Sequence, residues 1–434
     1  MSDFAIGLLG FVGLFGLMLA GIPIAVAMAL VGLLGTAYVS DWTAAFAVMK
    51  LGPFDQASSA SLGVIPLYLL MAFAAARSGM SRGLFRMAEA WLGHLRGGLA
   101  MATVGACAGF SAISGSSIAT ASAMASIAHP EMMRARYAPG LSAATIAAGA
   151  TLGIIIPPSV IFVLYGIVTE QSIGRLLMAG VVPGLIEIAL FLAVVAIVVR
   201  RSEEAAPIPT PKVALGVRLR SLAALWDAAV LFAIVIGGIY FGIVTPVESA
   251  ALGAVAAVVM GLARRTLGLR GLLDALLESV TVAAMIFLII IGADLFGTFV
   301  ALTQIPTTLA ELIAHMNVPR VVVLWLIVAI FLLLGALMDE LSMILLTMPV
   351  FFPLITGLGY DPIWFGVIVV IAAQMGMLNP PMGINVFIVA GAVQDAPIED
   401  IYRRVMPFVA AQLVLIAILA VWPSIALFLP ARMF

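Results

Sequence analysis

Long apolar runs separated by short polar turns dominate the chain, which is the pattern of a protein with many membrane-spanning helices. A spanning helix needs about 20 predominantly apolar residues, with a range of about 17–25. The runs predict about ten spans, two of which are interrupted. The uninterrupted spans are placed at residues 4–20, 23–40, 61–77, 176–199, 225–243, 246–263, 280–302 and 405–430. Two stretches of mixed polarity, 80–95 and 305–317, are expected to lie in the membrane interface.

The two interrupted spans, 140–170 and 362–394, each carry two consecutive prolines near the middle. The first contains Gly-Ile-Ile-Ile-Pro-Pro starting at Gly153, and the second contains Gly-Met-Leu-Asn-Pro-Pro starting at Gly376. Each proline pair removes two amide donors and clashes with the preceding turn, so the helix must break there. Because lipid cannot satisfy the freed carbonyl groups, the breaks must be buried in protein or face a cavity.

Two further apolar pairs, 97–131 and 320–357, each return to the side of the membrane on which they begin. Their arms have only about 17 residues, the lower limit for a span. The first pair turns at Ser114–Ser117 and the second around Asp339. Charge and length leave open whether each pair crosses the membrane twice or forms a re-entrant hairpin. The broken span that follows each pair favours two hairpins.

The chain repeats itself at a constant offset of 223 residues. Seven anchors of the first half meet identical residues of the second: Pro23, Pro130, Tyr137, Pro139, Gly153, Pro157 and Pro158 meet Pro246, Pro353, Tyr360, Pro362, Gly376, Pro380 and Pro381. Seven ungapped matches make chance alignment a poor explanation. Internal duplication is the expected architecture of many secondary transporters, whose binding site lies at the interrupted helices.

A polar linker at 201–222 separates a first repeat, 1–200, from a second repeat, 223–434. With the loop 77–96 in the cytoplasm, all but four of the 20 Lys and Arg residues fall on the cytoplasmic side. The linker is then cytoplasmic as well. Each half has an odd number of crossings, so the second repeat is expected to be inverted relative to the first.

Composition supports a polytopic all-α membrane protein, since 64% of the residues are hydrophobic and only 9% are charged. Soluble domains carry about 25% charged residues. The net charge of −1 gives no reason to expect nucleic-acid binding. The single cysteine, Cys107, is expected to be a buried hydrophobe. Residues 4–20 are expected to be a retained helix, because they lack the basic flank and cleavage site of a signal peptide.

The tips and breaks together predict a binding site near the middle of the membrane. Free amides and the helix dipole at the start of a hairpin's second arm suit an anionic carboxylate. Carbonyl oxygens freed by the proline pairs suit a small cation such as sodium. Oxygen ligands can also come from Ser114, Ser116, Ser117, Ser159, Asn379, Asn385 and Asp339. The chain has no phosphate-binding loop, which argues against direct coupling to ATP.

Several of these residues also have a purely structural interpretation. Serines in small-residue helices commonly bond to their own backbone or to a neighbouring helix. Asp339 is expected to be functional, because ionisable groups in membrane segments are costly, although a water-exposed turn is an alternative. Glu340 is expected to be the more solvated of the two. Glu248 is expected to stabilise a helix start, while Glu187 and Asp294 have partners that the sequence does not identify.

Several motifs together resemble the large membrane subunit of tripartite ATP-independent periplasmic (TRAP) transporters. They are Arg96–Ala100, Ser111–Ser117, Ile156–Ser159, Thr245–Ala250, Gly335–Asp339 with Thr347–Pro349, and Pro380–Asn385. The resemblance covers nearly the whole chain. It implies an elevator-type ion transporter fold with two re-entrant hairpins in the bacterial inner membrane, and no enzymatic activity.

The resemblance also implies partners. These are a small four-helix membrane subunit, expected as a separate chain because this one is too short to include it, and a periplasmic solute-binding protein. That protein would deliver a small organic acid, such as a dicarboxylate, and sodium would be the coupling ion, with no other cofactor.

Binding positions of the family map onto this sequence residue by residue. The implied substrate-binding residues are Ser114, Gly115, Ser116, Ser117, Ser159, Asp339 and Asn385. The implied sodium-binding residues are Ser114, Ser117, Gly153, Ile156, Asp339, Ser342, Gly376, Asn379 and Gly383. One position departs from the family pattern, which usually has Thr where this chain has Asn379. An amide oxygen can replace a hydroxyl as a ligand, so the departure affects the geometry of the second ion site.

Three other hypotheses make different demands on the sequence. A self-sufficient anion transporter of similar inverted-hairpin fold would need no binding protein. An intramembrane enzyme would need a cluster of acids with metal-ligand spacing, which the sequence lacks. A scaffold protein would need neither symmetric breaks nor polar tips.

Overall fold

The computed structural model describes residues 2–201, 212–315 and 318–433, and helices make up nearly all of this part of the chain. The helices before residue 202 are α1 (Asp3–Leu19), α2 (Ile24–Val39), α3 (Trp42–Ser58), α4 (Val64–Arg77), α5 (Met80–Leu92), α6 (Gly98–Ser114), α7 (Ser117–Arg134), α8 (Pro139–Ile155), α9 (Val160–Val168) and α10 (Ile173–Arg201). Those after it are α11 (Leu215–Ser221), α12 (Trp226–Phe232), α13 (Gly238–Tyr240), α14 (Pro246–Ala263), α15 (Leu269–Leu302), α16 (Ile305–His315), α17 (Arg320–Gly335), α18 (Glu340–Gly357), α19 (Pro362–Gly376), α20 (Ile384–Ala392), α21 (Ile398–Val421) and α22 (Ser424–Leu427). The all-helical fold expected from the sequence is confirmed.

The number of helices that can span a membrane is smaller than the ten expected. Seven described helical segments are long and apolar enough, and eight if α8 and α9, which meet at 44°, count as one span. One of the seven is α18, which the sequence places in a hairpin arm. The helices α1 and α2 have only 17 and 16 residues, close to the lower limit of about 17 residues for a full span.

Helix α3 was not predicted. Lys50, Pro53 and Asp55 interrupt its apolar pattern, so no membrane-length run is visible in the sequence. The helix nevertheless begins directly after Asp41, whose side chain accepts a hydrogen bond from the Ala44 amide at 2.8 Å and caps its start.

The expected linker 201–222 is partly helical. Helix α10 continues to Arg201, and α11 already begins at Leu215 and leads towards α12 and α13, so a single apolar segment covers Leu215–Tyr240. Residues 202–211 lie outside the described residues. The final span also differs from the expected 405–430, because α21 covers Ile398–Val421 and Pro423 follows its end.

Local sequence explains several helix starts. The Thr245 side chain accepts a hydrogen bond from the Glu248 amide, and Glu248 bonds back to the Thr245 amide at 2.8 Å, which forms a capping box. The structural role expected for Glu248 is therefore confirmed. The interfacial helix α5 buries Leu84 and Phe85 and leaves Arg82 exposed, as an amphipathic helix should.

The helix boundaries of the two halves correspond at the offset of 223. Adding 223 to the ends of α7, Ser117 and Arg134, gives the ends of α18, Glu340 and Gly357. The same shift carries α2 onto α14, α8 onto α19 and α10 onto α21 to within three residues at each end. The two halves differ where α3 and α4 of the first correspond to the single long helix α15 of the second.

The helices form two packed groups. Helices α1, α2, α4, α14 and α15 pack together and are called the frame. Helices α6–α10 and α17–α21 form the other group, the hairpin bundle. Much of the apolar core lies in the bundle, where α8 and α19 are buried almost along their whole length. Cys107 is fully buried there, as expected.

The two broken helices run in opposite directions through the bundle. At one end, the Tyr165 hydroxyl of α9 donates to the Pro362 carbonyl at the start of α19, at 2.7 Å. At the other end, the His129 ring lies 2.9 Å from Ser142 Oγ near the start of α8 and 3.0 Å from Asp395 Oδ1 after α20. The start of each broken helix therefore lies at the end occupied by the finish of the other.

Candidate functional site

The first hairpin tip is a tight turn between α6 and α7. Gly115 has φ of +56°, a conformation that a residue with a Cβ adopts only with strain. Its neighbour Ser116 caps α7, since Ser116 Oγ accepts from the Ala119 amide at 3.3 Å. A Cβ at Gly115 would also collide with the Pro158 carbonyl oxygen. Glycine is therefore required both for the turn and for the close approach of the tip to the first break.

The first break lies between α8 and α9. Because Pro157 and Pro158 have no N–H, the carbonyl groups one turn earlier, those of Gly153 and Ile154, lose their usual helical donors. Ser159 caps α9 by accepting from the Phe162 amide at 3.4 Å.

The tip and the break are in direct contact. A Cβ at Gly153 would lie only 2.9 Å from the Ser116 carbonyl oxygen and 3.2 Å from the Ser117 amide. The first tip and the first break therefore form one unit.

Two tip serines are buried and hydrogen-bonded. Ser114 Oγ lies 3.1 Å from Thr120 Oγ1 on the next arm. The Ser117 hydroxyl donates to Met377 Sδ at 3.6 Å, which links the first tip to the second break. Thr120 was not among the expected site residues. Its spacing of four from Ser116 nevertheless places the two residues next to each other on one face of α7.

At the second tip, Asp339 caps α18. Asp339 Oδ2 accepts from the Ser342 amide at 3.1 Å, and Asp339 Oδ1 accepts from the Ser342 hydroxyl at 2.5 Å. The end of the preceding arm packs directly on the second broken helix, because a Cβ at Gly335 would lie 2.6 Å from the Gly376 Cα. The two expected residues Asp339 and Ser342 are therefore partners.

The second break is a turn between α19 and α20. The Gly383 amide donates to the Asn379 carbonyl at 2.9 Å, and the Asn385 amide donates to the Met377 carbonyl at 3.2 Å. The Asn385 side chain donates to the Ala147 carbonyl at 3.4 Å. Its Oδ1 is buried and has no hydrogen-bond partner among the described residues. A carbonyl-type oxygen is thus available at this break.

A small cavity of about 250 Å³ joins the second tip to the second break. It is lined by Met18, Ile24, Leu337, Met338, Asp339, Ser342, Met382 and Ile384. The cavity brings the expected residues Asp339 and Ser342 next to the turn that holds Gly383.

Glu340 was expected to be solvated, and this expectation is wrong. Only 7% of Glu340 is exposed, whereas Asp339 is partly exposed. Its carboxyl lies beside the Ser117 hydroxyl, and its Oε2 has no hydrogen-bond partner among the described residues. Glu340 is the counterpart of Ser117 at the offset of 223, but that correspondence does not indicate burial.

A larger cavity of about 580 Å³ separates the first tip from the frame. Its polar lining consists of Arg77, Ser116, Ser122, Ser126, Glu278 and Glu340. The first turns of α7, α9 and α18 all border it. Arg77, which the sequence did not single out, donates to Glu278 Oε2 at 2.9 Å across the frame.

The expected residues therefore form two groups. Ser114, Gly115, Ser116, Ser117, Gly153 and Ser159 surround the first tip and break, while Asp339, Ser342, Gly376, Asn379, Gly383 and Asn385 surround the second. Ile156 also lies in the first break, directly after α8, and its side chain packs against Gly184 of α10. In the part of the chain that the structure describes, no three His, Cys, Asp or Glu side chains are grouped as a metal site.

This all-helical, multi-pass arrangement, with polar tips against interrupted helices, is that of a membrane transport protein. The family pattern "Tripartite ATP-independent periplasmic transporter, DctM component" matches residues 11–425. The chain belongs to this family and is a multi-pass protein of the bacterial inner membrane.

Similar proteins include two named permeases. The chain is 38% identical over 379 residues to the C4-dicarboxylate TRAP transporter large permease protein DctM of Pseudomonas aeruginosa, covering 87% of this chain and 88% of that one. It is 33% identical over 434 residues to the isethionate TRAP transporter permease protein DctMQ of Oleidesulfovibrio alaskensis, covering 97% of this chain. The chain spans 65% of the length of that second relative.

A solved structure has a similar fold. The crystal structure of the Alcanivorax borkumensis YdaH transporter, described as having an unusual topology, matches with a TM-score of 0.65 and 18% identity. The match covers 89% of each chain.

Proposed function

We propose that this permease imports a small organic acid, such as a dicarboxylate, and that a sodium gradient drives the uptake. A periplasmic binding protein delivers the acid, and a separate four-helix membrane subunit completes the transporter. The named relatives act on C4-dicarboxylate and on isethionate, which supports a small organic acid.

One observation carries the proposal. The first turns of α7, α9 and α18 open into the same 580 Å³ cavity. A side-chain cap takes one amide at each of these helix starts. The remaining first-turn amides and the partial positive charge of the helix start favour an anionic group. The Ser116 side chain lines the cavity beside these amides. A carboxylate placed here would meet donors from both hairpins.

The tip–break contacts support sodium as the coupling ion. At the first break, the carbonyl groups of Gly153 and Ile154 lack their helical donors, and Gly153 lies against the tip. At the second, Asn385 Oδ1 is unpartnered among the described residues, and the charged Asp339 lies on the adjoining tip. Carbonyl, amide and carboxylate oxygens are hard ligands, which a small cation prefers.

An elevator movement of the hairpin bundle fits the way the two halves pack. Helices α5 and α16 are equivalent at the offset of 223, and so are the arms α6 and α17. Yet α5 packs mainly against α6, whereas α16 packs mainly against α18. The bundle therefore does not sit symmetrically between the two interfacial helices. A displacement of the bundle along its contact with the frame, towards one side of the membrane, would produce this difference in the packing of α5 and α16.

Inverted repeats are the simplest account of the antiparallel broken helices.

A direct test of inversion uses the last residues of α7 and α18, Arg134 and Gly357, which are equivalent and exposed. Each is replaced by cysteine. A membrane-impermeant maleimide added to spheroplasts should label Gly357→Cys from outside and Arg134→Cys only after permeabilisation. Wild-type protein is the control, because buried Cys107 should stay unlabelled. Labelling of both variants from one side would contradict inversion.

Coupling is tested with the permease and its small subunit in proteoliposomes. Uptake of a labelled dicarboxylate should require both an inward sodium gradient and the loaded binding protein. Uptake that survives collapse of the sodium gradient would overturn sodium coupling. Uptake without the binding protein would favour the self-sufficient transporter instead.

A further inference from the structure

A second polar cluster lies inside the hairpin bundle. It consists of Glu187 on α10, Gln412 on α21, Gln374 on α19 and Thr151 on α8, and all four residues are 0% exposed. Thr151 and Gln374 lie two residues before Gly153 and Gly376, so the cluster borders the two breaks without sharing a residue with the sites described above. A carboxyl group in such a place is costly unless it is neutral or paired.

The cluster is held together by amide groups. Gln412 Nε2 donates to Glu187 Oε1 at 2.8 Å, and it also lies 3.3 Å from Thr151 Oγ1 and 3.4 Å from Gln374 Oε1. Gln374 Nε2 donates to the Thr151 carbonyl at 2.8 Å. Thr151 and Gln374 are equivalent at the offset of 223, so the cluster sits where the two halves meet.

Two buried oxygens of this cluster have no hydrogen-bond partner among the described residues. They are Glu187 Oε2 and Gln412 Oε1, which belong to the two side chains that already share a hydrogen bond. A protonated carboxyl and a primary amide can pair through two hydrogen bonds. The amide N–H donates to one carboxyl oxygen, and the acid O–H donates to the amide oxygen. The first of these bonds is present, and one proton would supply the donor for the second.

We propose that the Glu187 carboxyl is a proton-binding site inside the bundle, distinct from the sodium and substrate sites. The proton lets the halves pack tightly at this point. Its release would leave a charge among Gln412, Gln374 and Thr151, none of which can neutralise it. Deprotonation at high pH should therefore destabilise the packing between the two halves and slow the elevator movement of the hairpin bundle.

The helices that pack on α10 bring no described charged group to Glu187. Helices α8, α19 and α22 contain no titratable residue. The titratable residues on the other neighbouring elements are Glu399, Asp400, Tyr402, Arg403 and Arg404 of α21, Cys107 of α6, Tyr165 of α9, Tyr240 of α13 and Arg432 near the C-terminus. On α10 itself, Arg175, Arg200 and Arg201 are about 18–21 Å from Glu187 along the axis at 1.5 Å per residue.

The test compares the pH dependence of stability in wild type and Glu187→Gln. Glutamine keeps the shape and supplies an N–H where the acid O–H would be. The folded wild type holds a proton that the unfolded chain releases at neutral pH, so its melting temperature should fall as pH rises. Between about pH 6 and about pH 9, where ordinary carboxyls stay ionised, Glu187→Gln should show a shallower fall. Buried Glu340 is present in both proteins, so the difference isolates Glu187.

The control is Glu399→Gln, an exposed acid on α21, which should keep the wild-type slope. Equal slopes in wild type and Glu187→Gln would overturn the proposal. The proposal would also be overturned if sodium or potassium stabilised wild type but not Glu187→Gln at fixed pH. A metal cation would then occupy the site.

A second measurement does not depend on how well Glu187→Gln folds. Infrared difference spectra of wild type should show the carbonyl band of a protonated carboxyl at neutral pH, and Glu187→Asp should shift that band. An unshifted band would assign the proton elsewhere and overturn the proposal. Neither measurement involves transport, so their failure would leave the proposed uptake function untouched.

In proteoliposomes, the wild-type uptake rate should fall at alkaline pH and that of Glu187→Gln should change less.

Discussion

Asp339→Ala should reduce sodium-driven uptake by about tenfold to a hundredfold, the loss expected when one charge-assisted interaction worth about 1.5–3 kcal/mol is removed. Asp339 lines the cavity at the second tip and holds Ser342 through both its amide and its hydroxyl. Alanine removes the charge and releases the Ser342 hydroxyl. The sodium concentration for half-maximal uptake should rise accordingly, which a sodium titration in proteoliposomes measures.

The same substitution also removes a helix cap, and the control must account for that. Loss of an N-cap costs about 1 kcal/mol. Asp361 caps α19 in the same way, accepting from the Ile363 amide at 2.8 Å and the Trp364 amide at 2.9 Å. Asp361→Ala should therefore lower stability to a similar extent and keep its sodium dependence. If both variants lose uptake equally, the effect of Asp339 is structural. Normal uptake by Asp339→Ala would place Asp339 in a passive turn.

The proline pairs and the offset of 223 allowed much of the fold to be predicted. Proline chemistry acts through the local backbone, so the breaks at Pro157 and Pro380 were visible without any tertiary information. The helices after residue 211 were harder to predict, because contacts with residues far away in the sequence stabilise them. The Trp91 indole donates to the Arg218 carbonyl at 3.2 Å, and Arg264 pairs with Asp227. Such contacts across the chain leave no periodic pattern in the sequence.

The candidate site was predictable in its tips and breaks but not in its acids. The position of Glu340 beside Asp339 in a polar turn suggested solvent, and only the packing of the first tip against it shows that it is buried. Glu187 was visible as an acid in an apolar span, yet Gln412, its hydrogen-bond partner, is 225 residues away. Pairing over such distances depends on how the two halves meet, which local sequence does not encode.

Gly115→Ala should abolish uptake and lower the stability of the protein. An alanine at φ of +56° costs about 1–2 kcal/mol in backbone strain. Its Cβ would also overlap the Pro158 carbonyl oxygen, and relieving such overpacking costs about 1–3 kcal/mol more. The tip must then move away from the first break, so the free carbonyl groups and the α7 start no longer face one site. Thermal unfolding in detergent and uptake in proteoliposomes measure the two effects.

Gly391→Ala is the matched control, because no heavy atom lies within 4 Å of the Cβ that would be added and its φ is not positive. It also lies on α20, in the same bundle, and should leave uptake and stability near the wild-type values. Retained uptake in Gly115→Ala would mean that the tip and the break work independently, and the single tip–break unit would have to be abandoned. Lost uptake with an unchanged melting temperature would contradict the expected loss of stability but not the tip–break unit. It would place the effect in the geometry of the site, because the strain at residue 115 would then be absorbed without loosening the bundle.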